Sequence, residues 1–499
     1  MKKIKALIFI ILYFIFSFQI AIFAQTKDLN KITSVRLLQD KNNSRIIIGL
    51  KYPLENLPTH MATLETVFFD IDAVYVETRK QEVRKRRHGK REEKNQNIQV
   101  NHSEIASDEF INNVKWSSDS DKTKFEVKRQ YYSPVNFVNQ EQPPALLVEL
   151  PKYYFNKESY KLKPGITRHL VRTVNDRGPV AANVLEVDLS NENISIKVGL
   201  LDKKKIKSKS KLTDIVKSEM AFAGINANYF DVKVGNPLGT LITDGAWLTG
   251  PVYDRVAIGF SQDKKVLIDQ VMLTGNAMVY RGFRRKKVAN FEIDGLNTPP
   301  HLYKKIGLFT SNWDEEFDLT EGKIAVIVRD GSIKKITKDS AEIPPDGFVL
   351  ISNDEDIATS IRKRDRIKVD WSSTPDWSGV AEAVSGGPYL IMDGQVYLDL
   401  SNQKFKFAKK DTYAPRSAIG IGKNGNLFLI ALDGRNNGYS VGLSLNDLAE
   451  FLIKLDLKEA INLDGGGSTT LVANGEIINK LSEHHERKIS NGLLIFYKE

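Results

Sequence analysis

The sequence predicts an α+β fold: mainly antiparallel sheet with packed helices in a large C-terminal domain, preceded by a small all-β, sandwich-like domain. Three observations lead there. Short alternating or β-branched runs separated by Asn, Asp, Ser and Pro fill residues 31–151. Asp-Gly and Asn-Gly pairs then recur at Asp244-Gly245, Asp330-Gly331, Asp393-Gly394, Asn424-Gly425 and Asn474-Gly475, each suited to a tight hairpin that needs positive φ. Two amphipathic stretches, KLTDIVKSEM and SLNDLAEFLIKLDL, interrupt those hairpins with a helical period.

Taken in order, residues 1–24 place Lys2, Lys3 and Lys5 before a long apolar run that closes at Ala24, the pattern of a signal peptide or of an uncleaved anchor. An exported chain is therefore expected, in the periplasm, at the cell surface or secreted. With 499 residues, 41% hydrophobic and 27% charged, the remainder is long enough for two or three cores. The chain has no cysteine, so thiol metal sites and cysteine nucleophiles are excluded and stability rests on those cores.

Residues 30–151 form the predicted all-β domain, from the runs ITSVRLL, SRIIIGLKY, TVFFDIDAVYVE, INNVKWS, TKFEVKRQYY and ALLVELP. Its echoed pattern, VRLLQDKNNSRIIIGL and VKWSSDSDKTKFEV, resembles the AMIN domains that attach exported bacterial proteins to envelope polysaccharide. Much of the net charge of +10 sits in an insertion at 79–94, RKQEVRKRRHGKREEK. Such a run is a solvated loop or a contact for anionic wall polymer; without aromatic interleaving or a recognised motif it does not indicate nucleic acid. A linker at 152–166 leads to the larger domain, 167–499.

In that domain Ser444 and Asp447 form a capping box, and Leu445, Leu448, Phe451, Leu452 and Leu455 make one apolar stripe. The strand AINL follows, so Asp464 falls at its carboxyl end with Gly465, Gly466 and Gly467 turning beyond it. Glycines let successive N–H groups converge on an anion, and Ser468, Thr469 and Thr470 add hydroxyls. The stretch NLDGGGSTT reads as a carboxylate beside an anion cradle, or as a plain flexible turn. No GK[ST] follows, which argues against a nucleotide P-loop. Arg416 stands at the start of one strand, and Asp433-Gly434-Arg435 ends another before a loop too long for a two-residue hairpin. SGGPYLIMDG offers Ser385 and Gly386, and INANYFD offers Asn226, Asn228, Tyr229 and Asp231. Neighbouring His484 and His485 lack a metal-binding spacing, and no metal or cofactor is predicted, although oxygen ligation of calcium by Asp and Asn loops needs no compact motif.

The ordered set INANYFD, PLGTLITDG, SGGPYLIMDG, APRSAIGI, LDGR, SVGLSLNDLAEFL, NLDGGGSTT and ERKISNGLL resembles the phosphodiester glycosidases, relatives of the enzyme that removes N-acetylglucosamine from a phosphodiester. The resemblance runs from about Pro164 to Tyr497. One departure is Ala227 and Asn228, where the family has two glycines. The resemblance implies hydrolysis of a sugar-1-phosphodiester at the anomeric carbon, within an envelope or extracellular glycan. Arg416, Arg435 and Arg487 suit phosphate oxygens, with Gly465, Gly466, Gly467, Ser468 and Thr469 adding fixed dipoles. Asp464 is the first candidate to attack C1 or steer water to it, and Asp433 the second. Asn226, Asn228, Tyr229, Asp231, Ser385, Gly386, Asn479 and Glu486 are candidates for sugar contacts. Two rivals keep the same residues: a non-catalytic polysaccharide-binding protein, and a phosphodiesterase that cuts the P–O bond. The sugar, the aglycone, inversion versus retention and the oligomeric state are not written in these motifs.

Overall fold

In the computed structural model of the chain, the residues described are 29–82, 93–99, 103–105, 107–202, 205–314, 316–317, 319, 322–352, 354, 356–405 and 412–499. The predicted signal segment 1–24 and residues 83–92 of the basic insertion lie outside them. The chain divides into two compact units, Met1–Tyr154 and Phe155–Glu499.

The first unit is built from two sheets. One orders the strands Asn136–Glu141, Pro144–Pro151, Asn43–Leu50, Lys31–Gln39, Val74–Glu82 and Glu93–Gln99; the other, His60–Ala62, Thr66–Ile71, Thr123–Arg129, Ile111–Ser118 and Ser103–Ile105. Period-2 alternation sends Ile46 and Ile48 of the first sheet and Val67, Phe69, Trp116 and Phe125 of the second into one shared core. Phe69 stacks on Phe125 with ring centroids 5.0 Å apart.

The second unit corrects the predicted fold class. Across the described structure 52% of residues are strand and 5% helix, so the protein is mainly β rather than α+β. The amphipathic stretches do become helices, but short ones, at Leu212–Ser218 and Leu445–Ile453. Each covers only part of a sheet, and most of the core is sheet packed on sheet. The reason lies in the turns. Asp244, Asp330, Asp393 and Asn474 all have φ near +50° and are followed by a glycine at positive φ, so each closes a hairpin whose strands need no helix between them. Asn424-Gly425 differs, with the left-handed residue at Gly425.

Two sheets position the candidate site. An eight-stranded sheet runs Phe155–Lys163, Ile166–Asn175, Gly178–Val187, Leu427–Leu432, Arg416–Gly422, Leu457–Asn462, Tyr389–Met392 and Gln395–Val396. A five-stranded sheet runs Ile194–Gly199, Gly492–Tyr497, Ala223–Asn226, Leu471–Ala473 and Glu476–Ile477. Leu185, Leu429, Ile419 and Ile461 from the first meet Ile225, Leu471, Leu493 and Ile495 from the second in a common core. A further five-stranded sheet carries Leu241–Thr243, Val256–Ser261 and Val380–Ser385, and a second eight-stranded sheet is formed by strands between Met272 and Thr374.

The helix Leu445–Ile453 begins where the sequence predicts, with the Ser444 hydroxyl accepting the Asp447 N–H at 3.1 Å. Its stripe of Leu445, Leu448, Phe451 and Leu452 is buried against the larger sheet together with Leu455. Leu448 is fully buried, so Leu448→Ala is expected to destabilise the second unit by about 3 kcal/mol. Chemical denaturation followed by tryptophan fluorescence checks this, and a loss below about 1 kcal/mol would mean that the helix is not a working part of the core.

Candidate active site

Ser417, one residue into the strand Arg416–Gly422, and Asp464, two residues beyond Leu457–Asn462, both meet the carboxamide of Asn226. The Asn226 Nδ2 donates to the Asp464 carbonyl at 2.6 Å, while its Oδ1 accepts from the Ser417 hydroxyl at 2.8 Å and from the Thr470 N–H at 3.1 Å. The Asp464 N–H in turn donates to the Ala227 carbonyl at 3.0 Å. Strand ends from two sheets are thereby held at one place.

The three glycines each answer a different neighbour. A Cβ on Gly465 would lie 3.0 Å from the Pro415 carbonyl oxygen. Gly466 takes φ +62°, in the left-handed region, and its open side faces the Arg435 guanidinium, 3.4 Å from where a Cβ would stand. Gly467 lies so close to Arg487 and Glu483 that any side chain would collide with both. The turn is a single 3₁₀ turn, Gly466–Ser468.

This arrangement corrects the expected row of free amides. The Gly466 N–H donates to Pro415 O at 2.9 Å, Ser468 N–H to Gly465 O at 3.2 Å and Thr469 N–H to Gly466 O at 3.3 Å. Three amides of the turn are thus occupied within the chain, and the guanidinium groups are the charged donors at the site. Arg416 anchors itself through Nε to Leu443 O at 2.9 Å and Nη2 to Thr412 O at 2.6 Å. Burial pulls its pKa down, and the nearby Arg435 charge adds to that effect. Neither arginine forms an ion pair with a carboxylate among the described residues. Arg487 is different: it is held by Glu483, with Nε 3.2 Å from Oε2 and Nη2 on Oε1.

Asp464 is half-buried beside these groups. Burial raises its pKa to about 6, with the Ser468 hydroxyl, the Arg487 charge and the Gly465 amide pulling the other way. The hydroxyls of Thr469 and Thr470 and the Oδ1 of Asn462 are buried without a protein hydrogen-bond partner, an unusual concentration of polar atoms left for something other than the chain.

Asp433 occupies another setting. It is almost wholly buried, and its carboxylate accepts from Tyr439 OH at 2.9 Å, Asn479 Nδ2 at 3.2 Å and Lys480 N–H at 3.0 Å. It borders a cavity of about 60 Å³ with Arg435, Ser482 and His484, room for a water or two and not for a sugar ring. Asp433 is therefore tied to the loop after Arg435 and to Lys480, whereas the charged neighbour of Asp464 is the Arg487 guanidinium.

Most residues expected to meet sugar hydroxyls hold backbone instead. Besides Asn226, Asn228 donates to Thr240 O at 3.1 Å and accepts the Ser385 N–H at 3.1 Å, which gives the Asn228 departure a structural purpose. Asp231 accepts the amides of Lys233 and Val234 within its own loop. Ser385 is buried, and a Cβ on Gly386 would strike the Asn462 carbonyl. Asn479 bridges Leu471 N–H, Thr469 O and Asp433. Glu486 accepts both the N–H and the hydroxyl of Thr213, at 2.9 and 2.6 Å, at the start of the helix Leu212–Ser218. Tyr229 is half-buried beside the site; its hydroxyl donates to Gly387 O at 3.0 Å and accepts from Asn462 Nδ2 at 2.7 Å. Sequence reasoning missed Glu483, for which the four-residue spacing to Arg487 was a signal, and Asn462, which carried none.

Residues 322–496 match the phosphodiester glycosidase family. The matched segment holds Arg416, Arg435, Asp464 and Arg487 and begins well after Pro164, so INANYFD lies outside it. The human N-acetylglucosamine-1-phosphodiester alpha-N-acetylglucosaminidase is 37% identical over 112 residues, and the bovine one 35% over 112 residues. In both cases 21% of this chain and 21% of the relative are covered, so the chain spans about a fifth of the length of the curated relatives it matches. The fold is shared with a hypothetical protein from Synechocystis, at a TM-score of 0.63 and 19% identity, over 94% of this chain and 81% of that one.

Burial holds the Asp433 carboxyl protonated up to about pH 7, whereas an unfolded aspartate ionises near pH ~4. Between those values the folded form binds more protons than the unfolded one, so stability falls as pH rises and levels off above about 7. Asp433→Asn keeps acceptors for Lys480 and Asn479 and is expected to flatten this slope. Melting temperatures from pH 4 to 8 check it, and an unchanged slope would assign the effect elsewhere.

Proposed function

We propose that the second unit hydrolyses a glycosyl phosphodiester at the anomeric carbon, releasing sugar and a phosphomonoester. The observation that carries this reading is the pairing of two guanidinium groups, Arg416 and Arg435, neither with a carboxylate partner among the described residues, near the turn that follows the half-buried Asp464. Like charges brought together without counter-ions suit a dianionic leaving group, and the glycosidase family match supplies the reaction class.

A phosphate ester is a good leaving group once its charge is held, so little general-acid assistance is needed at the departing oxygen. The free guanidinium N–H groups of Arg416 and Arg435 take up the charge that grows as the C1–O bond lengthens. Asp464, as carboxylate, approaches C1 or deprotonates the attacking water, and Ser468, Arg487 and the Gly465 amide favour its charged form. Arg487 is itself oriented by Glu483, which keeps its charge directed at the carboxylate rather than at the phosphate. Export, and attachment to an envelope polysaccharide through the first unit, complete the reading on the sequence pattern of residues 1–151 alone; sedimentation of the purified chain with insoluble wall polymer tests that attachment.

Because the working form of Asp464 is ionised, kcat/KM is expected to rise with pH up to about 6 and then to level off. Asp464→Asn should lower kcat by about 1,000-fold or more on a glycosyl phosphodiester, and Arg435→Met by roughly 100-fold. Turnover in 18O-labelled water should place the label in the sugar. Label in the phosphate instead would mean P–O cleavage, and full activity in Asp464→Asn would remove the carboxylate from its role.

A further inference from the structure

The strand that starts at Val256 repeats, in its sequence, the strand that starts at Arg416. RVAIGF at 255–260 and RSAIGI at 416–421 share an arginine, then Ala-Ile-Gly at the same offsets. In both, the arginine stands at the start of a strand, Val256–Ser261 in one case and Arg416–Gly422 in the other. Both arginines also act on the same phenol: burial raises the Tyr229 pKa, the Asp464 charge raises it further, and Arg255 and Arg416 each oppose that.

Arg255 has no role in the chemistry derived above, yet it is costly as a purely structural residue. Its guanidinium is packed over aromatic rings, 4.2 Å from the Phe405 centroid, 5.4 Å from Tyr229 and 5.5 Å from Tyr253. Its Nε is buried with no hydrogen-bond partner, and no carboxylate among the described residues pairs with it. Burial pulls its pKa down, with only the neighbouring Tyr229 and Tyr253 opposing that. A methionine or leucine would fill the same space among three rings with no charge to desolvate. Lys404 places a second cation over Tyr253, at 5.6 Å, and Tyr253 is itself 37% exposed. The backbone that presents them is constrained: Tyr253 and Asp254 both take positive φ, +57° and +52°, which non-glycine residues rarely do in succession.

We propose that Arg255, with Lys404 and the rings of Tyr253, Phe405 and Tyr229, forms a second anion subsite that takes an acidic substituent, carboxylate or phosphate, on the glycan joined to the scissile phosphodiester. The substrate class narrows accordingly, to glycosyl phosphodiesters whose glycan carries a second negative charge. This subsite rests on Asp464 and its arginines being the place where such a diester is cut. Its ligand meets a planar donor already held by the rings, so ordering that side chain on binding costs little.

The test compares three p-nitrophenyl phosphodiesters, of glucose, of glucuronic acid and of glucose 6-phosphate, each linked through C1, on the full chain and on Arg255→Met and Arg255→Lys. Arg255→Met retains the packed stem. It is expected to raise KM by about 10-fold or more for at least one of the two acidic diesters, with kcat within about twofold and the neutral diester unaffected; Arg255→Lys should recover part of the loss. The acidic diester that is more affected identifies the substituent. Equal effects on all three diesters, or none on any, would overturn the subsite. If the parent chain cleaves none of them, the hydrolytic reading fails separately, and calorimetric titration with glucuronate and with glucose 6-phosphate decides the subsite by itself: binding at least 10-fold weaker in Arg255→Met supports it, and equal or no binding by both proteins overturns it.

Discussion

A single buried carboxamide determines whether the candidate site exists. Asn226 bonds to Ser417, Asp464 and Thr470, partners 191, 238 and 244 residues away in sequence. Each bond is ordinary in strength, but all three converge on one side chain that has no exposure to water. The Oδ1 is shared by Ser417 and Thr470, while loss of the Asp464 carbonyl would leave the buried Nδ2 unsatisfied, which costs more than the bond itself contributes. The start of the Arg416 strand, the end of the strand before Asp464 and the glycine turn are therefore fixed with respect to one another before any ligand arrives. Positioning of this kind is what lets charged groups act at a reacting centre without moving.

Around that brace the electrostatics are deliberately uneven. Arg487 has Glu483 as its counter-ion, and the Asp433 carboxyl, which burial keeps protonated up to about pH 7, is held by Tyr439, Asn479 and the Lys480 amide, so below that pH neither presents an unpaired charge. Arg416, Arg435 and Arg255 are not matched by any carboxylate among the described residues. The raised pKa of Asp464 belongs to the same pattern, since burial outweighs the Ser468 hydroxyl, the Arg487 charge and the Gly465 amide that favour its charged form. Unpaired cations beside a partly desolvated acid are a poor arrangement for stability and a suitable one for binding an anion and reacting at the carbon attached to it.

The two units face different physical demands. In the first, packed rings such as Phe69, Phe125 and Trp116 fill the space between two sheets. In the second, the sheets that build the core also deliver strand ends to one place, so packing and chemistry share the same strands. This is why the helix Leu445–Ile453 matters although it contributes no side chain to the site. It covers the outer face of the sheet whose strands end at Arg416 and Asp464.

Local physics was legible in the chain by itself. The Asp-Gly and Asn-Gly hairpins, the Ser444 cap with its apolar stripe, and the placement of Asp464 just beyond a strand follow from φ preferences and side-chain periodicity, which act over a few residues. The balance of helix to sheet was misjudged, because a strongly patterned nine-residue helix looks as definite as a long one until the sheets around it are counted. The roles of Asn226, Asn228, Asn479 and Glu486 were also beyond reach: an amide or carboxylate at a strand end has the same sequence signature whether it faces a ligand or ties down distant backbone. Only the tertiary structure decided that, and with it which arginines stay unpaired, because hydrogen-bond partners two hundred residues apart are chosen by the packing of sheets and not by neighbours along the chain.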